Sequence, residues 1–422
     1  MKNVFSTIIL LGILLLTGCR NEEPDIFGAS PAERMSKSIN YNYDLLTGVG
    51  GGWVMEYFAN SESPGYNLLV KFNKSGSAIM ASKSELTKNT DYEQDSCLFE
   101  IIGDNGPVLT FNTYNNLLHR FSNPIEPPGY GLKGDYEFVI MKSENERMIL
   151  RGKKYAATIV LTKLAETTSW KTYLQDIDSL NSTLFANKAP KLTLTIGKSV
   201  YKFSNGLSHI FNVVKEGPTV NTIEIPFIVN SQGIRFHAEQ EFDGLKFQTF
   251  KLNADKSALV SVENPDYKLS GPADLGTYFT GNVITWEIIN NESSTDIASI
   301  YNTILQSCYE KYKAQDVQIA IKYSTIRKTF VLTLAFTESG VKKEGNLDLT
   351  ITLNGKNALT IVNKGTGDTN GLLYKSDISG FSQLATAVSS GFLLTNNALI
   401  NPQKIKLTKT SDSNTWFTIQ AK

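Results

Sequence analysis

Three times along this chain one amphipathic helical stretch is followed by a train of short apolar runs separated by turn residues. That rhythm constrains the fold more than any single motif. One helix covers only one face or end of a sheet, so each unit must bury most of its apolar surface between strands. The first helix is predicted to open at Ser30-Pro31-Ala32-Glu33, a capping-box pattern with proline in the first turn. Ala32, Met35, Ile39, Tyr43 and Leu46 form its apolar stripe, and Gly48 with the glycines at 50–52 stops it. A second helix fits 169–186, with Trp170, Leu174, Ile177 and Leu184 on one face, and a third fits 296–312, with Ile297, Ile304 and Cys308 on one face. Strand-like runs fill the intervals, interrupted by short helices predicted at 114–121 and 381–388. The expected class is mainly β (α+β): tandem modules of one amphipathic helix plus an antiparallel β-meander or half-barrel, at 30–165, 169–272 and 273–422. The runs Ile159-Val160-Leu161-Thr162-Lys163 and Ile405-Lys406-Leu407-Thr408-Lys409 raise the hypothesis that the first and third modules are duplicates.

The N-terminus carries a different message. Lys2 precedes an apolar run from Val4 to Leu16, the layout of a secretory signal. The run falls short of the roughly 20 residues a spanning helix needs. It ends in Leu16-Thr17-Gly18-Cys19, which resembles the lipobox of bacterial lipoproteins. The chemistry requires a cysteine just after the cut, because its thiolate is the nucleophile that takes the lipid. The expectation is a signal peptide over 1–18, lipidation of Cys19, and a flexible tether over 19–29. Two or more acyl chains make such an anchor effectively permanent. The acidic pair Glu22-Glu23 behind the cysteine resembles the surface-export signal of Bacteroidota lipoproteins. The expected location is therefore the outer membrane, facing outward.

Charge excludes one class. The chain has 41 basic and 41 acidic residues with no Lys/Arg cluster, so nucleic acid is not an expected partner. Beyond Cys19 there are two cysteines, Cys97 and Cys308, read either as one disulfide or as two buried thiols. His119, His209 and His237 show no ligand spacing with each other or with cysteine, so no metal, cofactor or catalytic residue is assigned. Asp135 and Glu137 alternate on a predicted strand and would share a face, a solvated one unless they form a glycosidase pair. Gly365 to Gly371 contains Asp368 and Asn370 in a turn-like series, but lacks the full pattern of a calcium loop.

Aromatic residues are more suggestive. Trp53, Tyr57, Tyr66, Tyr114, Tyr130 and Tyr136 fall in or beside loops and strand ends of the first module. Exposed rings stack on sugar or haem-like faces; buried ones are packing. Trp53 reads as packing, and Tyr130, between Gly129 and Gly131, is the ligand-binding candidate. The first module also has a distinctive text: Phe27 to Arg34, Gly52 to Phe58, Gly106 to Asn115, Gly134-Asp135-Tyr136-Glu137-Phe138, and Ile149 to Lys154. These stretches resemble an uncharacterised Bacteroidota lipoprotein family, a domain of unknown function. Its members are often encoded beside starch-utilisation-type outer-membrane receptors and other surface lipoproteins. The resemblance implies capture or uptake at the cell surface, and carries no catalytic residues. The expected function is a non-catalytic surface lipoprotein that binds a nutrient ligand, glycan or haem-like, or a partner outer-membrane receptor or surface lipoprotein. The alternatives are a structural adhesin or assembly subunit and a glycoside hydrolase accessory enzyme.

Overall fold

The computed structural model describes residues 28–422 except Glu85, 89–90, 125–130, 186–191, 219–220, Ala273, 282–283, 397–399 and the side chain of Leu207. Cys19, the signal segment and Tyr130 lie outside the described residues. Those residues form a mainly β protein of three barrels, each closed from eight antiparallel strands. The first consists of β1 (Trp53–Phe58), β2 (Gly65–Phe72), β3 (Ser77–Ser82), β4 (Glu93–Gly103), β5 (Pro107–Phe111), β6 (Glu137–Ser143), β7 (Arg147–Gly152) and β8 (Thr158–Lys163). β8 returns to β1, with Trp53 opposite Lys163 and Glu56 opposite Val160. The second barrel occupies 192–270 and the third 286–421, each with its strands paired in chain order and its ends joined. Closure goes beyond the half-barrel that the sequence suggested, and it pairs the edge strands that an open sheet would expose.

Alternation explains the barrel interiors. In β1, Trp53, Met55 and Tyr57 point into the first core and none is exposed. Phe72 packs against Phe99 and Phe111, and Phe111 against Phe138, with centroids 4.7–6.3 Å apart. An eight-stranded barrel is just wide enough for its own side chains. These rings fill it.

The helices close ends and joints. They are α1 (Pro31–Thr47), α2 (Trp170–Phe185), α3 (Leu275–Phe279), α4 (Thr295–Tyr312), α5 (Thr369–Asp377) and α6 (Phe381–Ala387). Ser30 and Glu33 form the capping box at α1: each backbone N–H donates to the other's side chain, at 3.2 and 3.0 Å. α1 lies over the first barrel, where Tyr43 stacks on Phe99 at 5.6 Å. Its last carbonyls receive the Trp53 indole, whose Nε1–H donates to Leu46 O at 3.1 Å.

The third barrel repeats that device, with Trp286 Nε1–H donating to Phe279 O of α3 at 2.9 Å, again seven residues upstream. Its first strand, Trp286–Ser293, precedes α4, whereas the sequence reading opened this module with the 296–312 helix. The strand was masked by the stronger helical period beside it, although Trp286 and Ile288 alternate inward. The matching pentapeptides fall on strands that do not correspond: Thr158–Lys163 is the eighth strand of its barrel and Lys404–Lys409 the seventh of its own.

α2 joins the first two barrels. Val54, Leu69 and Ala81 face outward from the first barrel yet are buried, sharing one cluster with Leu174, Ile177 and Phe227. A buried ion pair spans the same joint: Arg235 of the second barrel donates to Glu56 of β1. Asn230 Nδ2–H donates to the other Glu56 oxygen at 3.0 Å. The third barrel meets the second through Ile400, which is buried in the second barrel's cluster, and its N–H donates to Lys256 O at 2.8 Å. Among the described residues no helix is long and apolar enough to cross a membrane.

Candidate functional site

Three separated stretches of the first module meet at one mouth of its barrel: the 112–123 segment after β5, residues 134–137 leading into β6, and the turn at 152–155 between β7 and β8. They enclose a cleft of about 790 Å³. All three lie within or beside the text that carries the family resemblance.

The 112–123 segment is shaped by Asn115. Its Oδ1 accepts the N–H groups of Leu117 and Leu118 at 2.9 and 3.1 Å, and its own N–H donates to His119 Nδ1 at 3.0 Å. These local bonds compete with helix. The helix predicted over 114–121 is therefore only a 3-10 turn, His119–Phe121. Because Nδ1 accepts, the His119 ring is neutral with its proton on Nε2. Burial holds its pKa below the usual 6.5.

His119 sits in a stack of three rings. Tyr114 lies at 5.2 Å and Tyr136 at 4.8 Å, with interplanar angles of 33° and 25°. Tyr114 is 55% exposed and Tyr136 41%. Asn123 Nδ2–H donates to the Tyr114 hydroxyl at 2.5 Å, which orients the outer ring. The other sequence candidates sort differently. Trp53 and Tyr57 are buried in the barrel, and Tyr66 packs on Phe121 at 4.9 Å.

Asp135 corrects the expected solvated strand face. It precedes β6 instead of lying on it, and it is only 6% exposed. Its Oδ1 and Oδ2 accept the N–H groups of Lys154 and Tyr155 at 3.0 and 2.8 Å, pinning the β7–β8 turn. Burial raises its carboxyl pKa against these two bonds. The approach needs a glycine at 152, since a Cβ there would stand 2.2 Å from Asp135 Oδ2. The Asp135 carbonyl also accepts the Tyr57 hydroxyl at 3.0 Å. Glu137 lines the same cleft and lies 3.8 Å from Lys153, which is itself 3.2 Å from Asp104. Lys154 and Tyr155 complete the rim, with the ammonium 4.9 Å from the ring centroid. Sequence reasoning missed both as site residues. The one signal was that Lys154 closes the Ile149 to Lys154 stretch of the distinctive text.

The remaining candidates have structural partners. Cys97 and Cys308 are free, buried in different barrels, and burial pushes each thiol up to about 11. Asp368, in the turn considered for calcium, caps α5: its oxygens accept from Gly371 N at 2.6 Å and from Asn346 N and Nδ2 at 3.0 and 2.7 Å. His209 pairs with Asn181 at 2.9 Å. His237 packs edge-on against Phe58 at 4.9 Å, in the joint between barrels.

Comparison with known proteins adds a family and little more. The family described as Domain of unknown function (DUF4302) matches residues 23–254. That span takes in the first barrel and its cleft, and ends before the last two strands of the second. No curated protein matches the chain. Among solved structures, the DNA polymerase sliding clamp from Pseudomonas aeruginosa with ligand is similar at 8% identity over 92% of this chain and 97% of that one, with a TM-score of 0.13. A second structure of that clamp gives 9% identity, the same coverage and the same TM-score. Scores that low carry no argument.

Proposed function

The chain belongs to the family described as Domain of unknown function (DUF4302), and from the site we propose that it is a non-catalytic, lipid-anchored surface lipoprotein that binds glycan at the mouth of its first barrel. One observation carries the reading. Two exposed tyrosines flank His119 above a cleft whose other walls are amides, hydroxyls and charged groups. A sugar ring has an apolar face for stacking and a rim of hydroxyls for hydrogen bonds, which that cleft matches. Asn112, Ser122, Glu137 and Lys154 would meet a haem-like face poorly, so glycan is preferred over haem. Cys19 supplies the anchor in this reading, and the outer surface of the outer membrane is where such a receptor would work.

Titration of the intact chain with neutral hexasaccharides and with haem tests the ligand. Saccharide binding is expected, weakened about tenfold by Tyr114→Ala or Tyr136→Ala, the loss of about 1.4 kcal/mol. Binding that is indifferent to both substitutions would remove the site. The anchor is tested by Cys19→Ala, which should abolish lipid labelling and release the protein from membranes; unchanged retention would refute it.

A second reading, a glycoside hydrolase accessory, has one feature in its favour. Asp135 and Glu137 share the cleft, and burial raises the Asp135 carboxyl. Against it, both Asp135 oxygens already accept backbone amides, which leaves no free acid to aim at a glycosidic oxygen. Hydrolysis of the hexasaccharides by the wild-type chain, lost in Glu137→Gln, would replace binding with catalysis.

A further inference from the structure

Arg120 follows His119 in the same 3-10 turn but faces a different cleft, one of about 450 Å³ lined also by Glu93, Gln94, Asp95, Asn116 and Leu117. Its Nε and Nη1 are buried and have no hydrogen-bond partner. Leaving a buried donor unpaired is costly, and more so for a charged group. The carboxylates in this cleft do not relieve it. Asp95 Oδ2 accepts Asn116 N and Nδ2 at 2.7 and 3.0 Å, and Oδ1 accepts Ser96 N at 2.8 Å. Glu93 Oε1 accepts Lys88 N at 2.8 Å.

The cleft thus sets the acceptors of Glu93 and Asp95 beside the side chain of Arg120, whose buried Nε and Nη1 have no protein partner. A free anion suits it poorly, because two carboxylates face one guanidinium. Neighbouring sugar hydroxyls suit it well, since each accepts one hydrogen bond and donates another. The two clefts also share a wall, the 112–123 segment: Tyr114 and His119 line one, Asn116 and Arg120 the other.

Resting on the glycan reading above, we infer that Arg120 anchors a second sugar subsite, so that the ligand is an uncharged oligosaccharide spanning both clefts and not a mono- or disaccharide. One ring stacks on the tyrosine face, and a ring further along the chain is held edge-on by Arg120 and Glu93. A subsite that a ligand completes also explains why the protein tolerates an unpaired Nε and Nη1 at Arg120.

The test is calorimetric titration of the intact lipidated chain in detergent with the disaccharides and hexasaccharides of linear glucan, xylan and mannan. The hexasaccharide that binds should do so at least about tenfold more tightly than its disaccharide. Arg120→Met should remove that advantage and leave disaccharide affinity within about twofold. Its melting temperature should be unchanged or a few degrees higher, because no protein partner is lost. A fall of several degrees would make Arg120 a structural residue and overturn the inference. So would a hexasaccharide advantage that survives Arg120→Met while still depending on Tyr114; that result would leave the first cleft intact. No saccharide binding by the wild type would sink the glycan reading and this inference with it.

Discussion

His119 and His237 should make stability depend on pH in the same direction. Burial is the main reason both rings titrate below the usual 6.5, and the Arg235 guanidinium adds to it at His237. The unfolded chain therefore takes up protons near 6.5 that the folded chain refuses. Stability is full above that value and is lost as pH falls below it, toward the folded values. Asp135 has the opposite sign: its raised carboxyl pKa makes stability fall as pH rises through the folded value. The useful comparison is between wild type and a His119→Gln/His237→Gln double variant, since Asp135 is present in both. Between about pH 7.5 and 5.5 the melting temperature of the wild type should fall more than that of the double variant. Parallel curves would show that neither ring is held neutral by the fold.

At the scale of elements, α2 is the decisive piece. Its Leu174 and Ile177 pack at once on the outward face of the first barrel and on the core of the second. Leu174→Ala should cost about 2–5 kcal/mol, and the first two barrels should lose stability together. A calorimetric scan in which only one transition moves would contradict the joint. The helix itself was legible, because its apolar positions recur at 3.6 residues. The joint was not: β1 is buried along its whole length, so its pattern shows no second, covered face as distinct from the first. Closure was equally hidden, since Trp53 pairs with Lys163 across more than a hundred residues and no local signal fixes that register. Of the site, Tyr114, Tyr136 and Asp135 were visible as residue types at strand ends. Arg120 could not be singled out, because its interest lies in having no partner, which only the fold reveals.

At the scale of the molecule, the body consists of three closed barrels with packed cores, and the proposed site lies at a mouth. The buried Glu56–Arg235 pair fixes the first barrel against the second, and Ile400 docks the third. A rigid frame of this kind keeps the ring stack in one geometry, so binding there need not order a loop first. The chain has only three histidines, and one of them is the middle ring of the stack. The most direct measurement is therefore the His119 ring signal in a spectrum of selectively 13C-histidine-labelled protein, followed during titration with the hexasaccharides. Glycan binding at this mouth should shift that signal, leave those of His209 and His237 in place, and do so no longer in Tyr114→Ala/Tyr136→Ala. An unmoved His119 signal while the saccharide binds would place the ligand elsewhere and contradict the account.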